Sequence, residues 1–331
     1  MSTRPVLSLA ALLLLLSGCR SAPPIIATRS GTVLLDGGDT LAYRLVGSGR
    51  DTLLVIPGGG ALGSRYLETA LAPLGQSHLL VFIDPRGRGG SSVTTQPESL
   101  SLARDARDLA ALHDSLHLGT VGLIGHHWGA GVALRFALAR SAQVGRVVLV
   151  SPMAHKQDFI MELALLPNDS AALARHMEAR TAGMDSLDAP GYCRSFWGFA
   201  FSPVEETAPS VVTKLAPDLC ADPAARLRQR EAIQRQLYLA MPGWDWSDSI
   251  PLLHRPTLVL TGDAVPALVA GAKAWAGRLP DSRLVVTKGS SLFPWAADAP
   301  AFGSALKAFV DGSWPAGALD IRTPPDTVAH P

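Results

Sequence analysis

The residues best placed to do chemistry in this chain cluster at Gly125-His126-His127-Trp128-Gly129, where an apolar strand pattern gives way to a helical one. A side chain at the centre of a glycine-flanked strand-to-helix turn projects from the sheet edge, and the glycines two residues either side permit close packing. Here that side chain is the imidazole of His127, a group that can attack an activated acyl carbon or carry a proton. Adjacent histidines also raise a metal reading, with His113 and His117 four residues apart on the preceding predicted helix. Metal sites need two or three converging ligands at suitable spacing. Asp114 and Ser115 beside those histidines mark an ordinary solvated face, so no metal and no cofactor is expected.

The elements that must position His127 follow from periodicity. Gly31–Leu35 and Thr40–Val46 read as a hairpin around Asp36-Gly37-Gly38-Asp39. Thr52–Ile56, His78–Asp84, Thr120–Ile124, Arg146–Val150, Pro256–Thr261 and Arg283–Thr287 read as short buried strands. Between them, Leu102–Leu116, Trp128–Ala139, Ala267–Arg278 and Ala299–Val310 carry helical spacing. Strands alternating with helices predict an α/β fold, a mostly parallel central sheet with helices on both faces. From Pro152 to Pro251 the rhythm breaks into a helical or irregular stretch holding Trp197, Trp244, Trp246 and two cysteines. An insertion after the sixth strand lies over the carboxyl edge, where such sheets bind ligands, and is read as a helical cap. Trp244 and Trp246 are expected to pack the cap onto the main domain.

The chain has 331 residues, 47% apolar and 17% charged. That length suffices for one large domain burying about three quarters of its unfolded surface. The 29 basic and 28 acidic residues nearly cancel, without long runs of one sign. Nucleic-acid binders carry a basic excess or stripe, so that class is excluded.

Three segments, in order, carry a family resemblance: Pro57-Gly58-Gly59-Gly60, Asp84-Pro85-Arg86-Gly87-Arg88-Gly89-Gly90-Ser91 and Gly125-His126-His127-Trp128-Gly129. They resemble the H-G-G-P-G turn, the D-Q-R-G-x-G-x-S turn and the G-x-S-x-G nucleophile elbow of the α/β-hydrolase fold, closest to the proline-iminopeptidase-like aminopeptidases. The resemblance spans residues 30–312 and is weakest in the cap. It implies a Ser-Asp-His triad, and this sequence departs from it at every member. His127 stands at the serine position. Thr261-Gly262-Asp263-Ala264-Val265 matches the acid's context with Val265 at the acid position, and Asp263 lies two residues early. Gly289-Ser290-Ser291-Leu292-Phe293-Pro294-Trp295 matches the base's context with Leu292 at the histidine position, and no base is evident for the Ser290 or Ser291 hydroxyls.

The resemblance also implies an oxyanion hole from the backbone N–H of Trp128 and one N–H near Gly58 or Gly59. With the helix N-terminus behind it, that pair makes an acyl, carboxylate or peptide ligand under the cap the expected partner. Asp84 and Arg86 are structural in this family, bracing the sheet edge. Glu205-Glu206 is similar to the acidic residues with which aminopeptidase caps grip a substrate's amino terminus, although paired surface carboxylates are common.

Residues 1–18 have the form of a signal peptide, with Arg4 in a short positive region and an apolar run from Val6 to Leu16. Leu16-Ser17-Gly18-Cys19 is similar to a bacterial lipobox, which implies cleavage before Cys19, its lipidation and a membrane anchor. Arg20 follows the cysteine where inner-membrane retention favours Asp, so an outer-membrane, periplasm-facing lipoprotein is expected. Losing Arg4 leaves the mature chain formally neutral. The expected domains are a signal peptide (1–18), a lipidated tether (19–30), the core in two parts (31–151 and 252–312), a cap (152–251) and a flexible tail (313–331). With Cys19 lipidated, Cys193 and Cys220 remain as an even pair, expected to form a disulfide. Functionally, the substituted triad predicts a protein that has lost hydrolysis and binds a ligand or a protein partner. The alternative is an aminopeptidase or esterase built around His127.

Overall fold

The computed structural model describes residues 28–94, 97–157, 170–200, 211–290 and 292–322. Residues 1–18, read above as a signal peptide, Cys19, Glu205-Glu206, Ser291 and the end of the tail fall outside them. Eight strands make one sheet: β1 (Thr28–Leu34), β2 (Thr40–Val46), β3 (Thr52–Ile56), β4 (Leu79–Asp84), β5 (Val121–His126), β6 (Val144–Val150), β7 (Thr257–Gly262) and β8 (Ser282–Thr287). Their order is β1-β2-β4-β3-β5-β6-β7-β8, with β2 antiparallel to both its neighbours, β1 and β4, and the remaining pairs parallel. Every residue of β3 and β7 is buried, which is why each is built around a continuous apolar run, Leu53–Ile56 and Leu258–Leu260.

Helices α1 (Arg65–Leu71), α2 (Leu102–Ser115) and α3 (Trp128–Ala139) lie between strands in the first half of the chain. Among the described residues five more join β6 to β7: α4 (Ser170–Thr181), α5 (Met184–Leu187), α6 (Ala189–Ala200), α7 (Val211–Leu219) and α8 (Ala224–Leu239). These form the helical cap after the sixth strand. The chain then adds α9 (Pro266–Arg278), α10 (Pro294–Ala297) and α11 (Ala299–Val310). Two apolar clusters sandwich the sheet. One joins it to α2, α3 and α9 through Leu109, Phe136 and Trp275. The other joins it to α1, α11 and the cap through Leu67, Phe309, Cys193 and Leu219.

Two of the differences from the periodicity reading bear on the site. Strand β5 runs on to His126, so the turn begins directly at the strand end. Helix α2 stops at Ser115, and His117 sits beyond it in a left-handed turn with φ 51°. His113 and His117 therefore do not share a helix face. His113 Nε2 contacts the Gly119 carbonyl at 2.7 Å instead. Among the described residues no group of three His, Cys, Asp or Glu side chains could hold a metal ion.

Buried ion pairs hold the sheet edge, as expected for Asp84 and Arg86. Asp84 Oδ1 accepts from the Ser64 N–H and hydroxyl, both at 2.7 Å, and Oδ2 accepts from the Gly90 N–H at 2.8 Å and from Arg44 at 2.9 Å. Arg86 forks onto Asp108 with both bonds at 2.9 Å and also reaches Asp39 at 2.6 Å. Arg88 pairs with Asp105, whose Oδ2 accepts from Trp128 Nε1 at 2.9 Å. That last contact ties the Arg-rich turn to the first residue of α3.

Candidate functional site

The elbow is built as its glycines require. His127 sits between β5 and α3 at φ 47°, ψ −105°, a conformation costly for a side chain with a Cβ. The surroundings over-determine it. The His127 N–H donates to Val150 O at 2.9 Å, and its carbonyl accepts from Ala130 at 3.1 Å and Met153 at 3.2 Å. A Cβ on Gly129 would come within 2.3 Å of Ile56 O, and one on Gly125 within 2.4 Å of Gly129 O. Neither position tolerates a larger residue.

His127 reaches the floor of a chamber of about 170 Å³ between the sheet edge and the cap, shared with Gly59, Leu62, His126, Leu292 and Phe293 below. From the cap, α6 contributes Phe196 and Trp197, and α8 contributes Arg230, Gln234 and Tyr238. Neither imidazole nitrogen of His127 has a hydrogen-bond partner among the described residues, and Nδ1 is fully buried. Burial pushes its pKa down to about 4, so at neutral pH the ring is uncharged.

The other two triad positions hold what the sequence placed there. Val265 is buried as the N-cap of α9, and Leu292 lines the chamber. Asp263 is exposed, and its Oδ1 accepts from the Gly289 N–H at 2.8 Å, bracing the loop. Ser290 is buried with no hydrogen-bond partner for its hydroxyl among the described residues. The structure thus brings His127, Gly59 and Leu292 together, and among the described residues no acid or base meets His127.

The Gly-rich turn corrects one expectation. The Gly58 N–H donates to the Tyr66 hydroxyl at 2.7 Å and so is not available to a ligand. Gly59, at φ 69°, lines the chamber, and neither its N–H nor that of Trp128 meets an acceptor among the described residues. Tyr66 in turn lies 2.6 Å from His126 Nδ1, and His126 Nε2 lies 2.8 Å from Leu292 O. Both ends of this chain are backbone groups with fixed polarity, so its direction is determined. Gly58 N–H donates to Tyr66, Tyr66 O–H donates to His126 Nδ1, and His126 Nε2–H donates to Leu292. His126 packs among Tyr66, Phe293 and Trp295 at centroid distances of 5.6, 5.2 and 5.4 Å, and burial holds its pKa down to about 3. This neutral imidazole links the three turns that face the chamber.

Residue types gave no sign of Tyr66 or Arg230. One signal was present: Arg230, Gln234 and Tyr238 recur every four residues, which puts them on one face of a helix. Cys193 in α6 and Cys220 just after α7 form a disulfide with an S–S distance of 2.04 Å. Trp244 and Trp246 pack rather than line the chamber. Trp244 Nε1 donates to Ala154 O at 3.1 Å, and Trp246 lies edge-on to Trp275.

Comparison with known proteins agrees with this architecture. A family profile described as alpha/beta hydrolase fold matches residues 51–291. The chain belongs to that family and is similar to its proline-iminopeptidase-like members. Among curated relatives, a proline iminopeptidase of Heyndrickxia coagulans is 27% identical over 143 residues, 42% of this chain and 50% of that protein. The chain thus spans about half the length of that relative. Among solved structures, a thermophilic esterase from Thermogutta terrifontis superposes with a TM-score of 0.62 at 23% identity, covering 86% of this chain and 98% of the other. Proline iminopeptidase of Mycobacterium smegmatis superposes with a TM-score of 0.63 at 16% identity, covering 86% and 98%. At these identities the superpositions speak to the fold alone.

Proposed function

We propose that this chain is a non-hydrolytic α/β-hydrolase-fold protein that binds a ligand or protein partner in the bacterial cell envelope. Its anchor is a lipidated Cys19, with the outer membrane as its site and the fold facing the periplasm. The observation that supports the loss of hydrolysis is the isolation of His127, whose ring nitrogens meet neither acid nor base among the described residues. In a serine protease, losing the serine or histidine alone costs about 10⁶ in kcat, roughly 8 kcal/mol of barrier. Here serine, acid and histidine are replaced together. The Trp128 and Gly59 N–H groups depend on no side chain, so a seat for a polar ligand group persists without the chemistry. The Cys193–Cys220 bridge fits an oxidising compartment and so supports the envelope placement.

One observation favours the alternative, a hydrolase using His127. Its imidazole is neutral at neutral pH and reaches the chamber, and a neutral imidazole is nucleophilic. Val265 and Leu292 still supply no proton for a leaving group. Incubation with p-nitrophenyl acetate, read by intact-mass spectrometry and nitrophenolate release, separates the two. The non-hydrolytic reading expects no acyl adduct on His127 and release equal to that of His127→Ala. An adduct on His127 that turns over contradicts it.

A further inference from the structure

The cap carries a charge that the described residues leave uncompensated. Arg230 on α8 is only 4% exposed. Among the described residues its one hydrogen bond runs from Nη1 to Cys193 Sγ at 3.2 Å, and none of their carboxylates lies within ion-pair distance. The guanidinium stacks over Phe196 at 4.4 Å and Trp197 at 5.1 Å, two rings that line the chamber with it. Buried arginines are normally paired, because an isolated buried charge is costly. Burial pulls the Arg230 pKa down to about 10 despite the fields of Glu231 and Asp222, so it remains a cation at neutral pH. The described residues around the chamber thus contribute one positive charge and no negative one, since His126 and His127 are neutral.

The remaining walls are set by Leu62, Phe196, Trp197, Tyr238, Leu292 and Phe293. The volume of about 170 Å³ is small. An apolar cavity of about 150 Å³ accepts a benzene ring, whereas drug-sized ligands take about 300 Å³ or more.

We propose that the chamber selects a small organic monocarboxylate, its carboxylate paired with Arg230 and its apolar body against Leu62, Phe196, Trp197 and Phe293. This rests on the ligand-binding reading of the chamber and not on the absence of turnover. Arg230 is the specificity determinant, supplied by the cap while the sheet edge supplies the floor. The residue also borders an outer cleft with Arg180, Arg228 and Arg235, which makes that cleft the necessary control.

The test is calorimetric titration of the full chain at neutral pH with phenylacetate and with phenylacetamide, its neutral isostere. Phenylacetate binds saturably and the amide at least about tenfold more weakly, the scale of one hydrogen bond to a charged group. Arg230→Met loses that preference while its melting temperature without ligand stays level or rises, because an unpaired buried cation has been removed. Arg230→Lys keeps the sign of the preference, and Arg228→Gln in the outer cleft leaves it unchanged. Four results overturn the proposal: no saturable phenylacetate binding, equal affinity for acid and amide, full acid affinity in Arg230→Met, or loss of affinity in Arg228→Gln. Equal acid and amide binding without turnover removes this proposal and leaves the non-hydrolytic reading standing. Ester turnover lost in His127→Ala, with an intact Arg230-dependent preference for phenylacetate, does the reverse.

Discussion

At the scale of single residues, two histidines side by side do different work because of what each touches. His126 is saturated: Tyr66 donates to one nitrogen and Leu292 accepts from the other, inside a shell of aromatic rings. The His127 ring meets no hydrogen-bond partner among the described residues and opens on the chamber. Tyr66→Phe therefore strands the buried Gly58 N–H and His126 Nδ1, at about 1–3 kcal/mol for each unsatisfied group. The expected result is a lower urea midpoint with an unchanged m-value. Both imidazoles also link stability to pH. Their folded pKa values, about 3 and about 4, lie below the ordinary histidine value of 6.5. The unfolded chain therefore binds more protons between those limits, and stability falls as pH drops from about 6.5 toward 4. Each group contributes up to about 1.4 kcal/mol per pH unit in that window. Urea midpoints at pH 7.5 and 5 should differ less in His127→Ala than in the wild type, and identical pH profiles would contradict this assignment. The sequence made His127 conspicuous through its flanking glycines. It could not separate the two histidines, because hydrogen bonds to Tyr66 and Leu292 span 60 and 166 residues.

At the scale of elements, the core was readable strand by strand, whereas the cap was readable as a helical insertion but not helix by helix, for a physical reason. Strands buried on both faces are mostly apolar, so β3 and β7 announced themselves, and α3 runs from Trp128 to Ala139 as its spacing required. Cap helices show one face to the chamber and another to solvent, and α8 mixes Arg230, Gln234 and Tyr238 into its inner face. That mixture weakened the apolar pattern that periodicity depends on. It also hid Arg230, the most informative residue in the site, among the other arginines of the helix. The turn after α2 misled for a different reason, since His117 leaves the helix through a left-handed conformation that residue type does not signal. The disulfide was legible from cysteine counting. It joins α6 to the residue after α7 across a separation of 27 positions. A loop of that size contributes roughly 3 kcal/mol by restricting the unfolded chain. Reduction with dithiothreitol should lower the melting temperature by several degrees and weaken phenylacetate binding, because Arg230 rests on Cys193 and on the rings of the same helix. An unchanged melting temperature in fully reduced protein would remove that role.

For the whole molecule, what stands out is the unequal treatment of scaffold and chemistry. The glycines of the elbow, the Asp84 and Arg86 braces and the Arg88–Asp105–Trp128 tie are all in place, and the last joins the Arg-rich turn to the first residue of α3. Among the described residues no acid or base meets His127, and Arg230 borders the chamber from the cap without a carboxylate partner. The proposed non-hydrolytic role follows from that contrast. The most direct measurement is kcat/KM for p-nitrophenyl esters of short acids, measured for the wild type beside His127→Ala and enzyme-free buffer. The account predicts three indistinguishable rates. A wild-type value at or above about 10⁴ M⁻¹s⁻¹, the lower edge of ordinary enzymatic efficiency, that disappears in His127→Ala would contradict it.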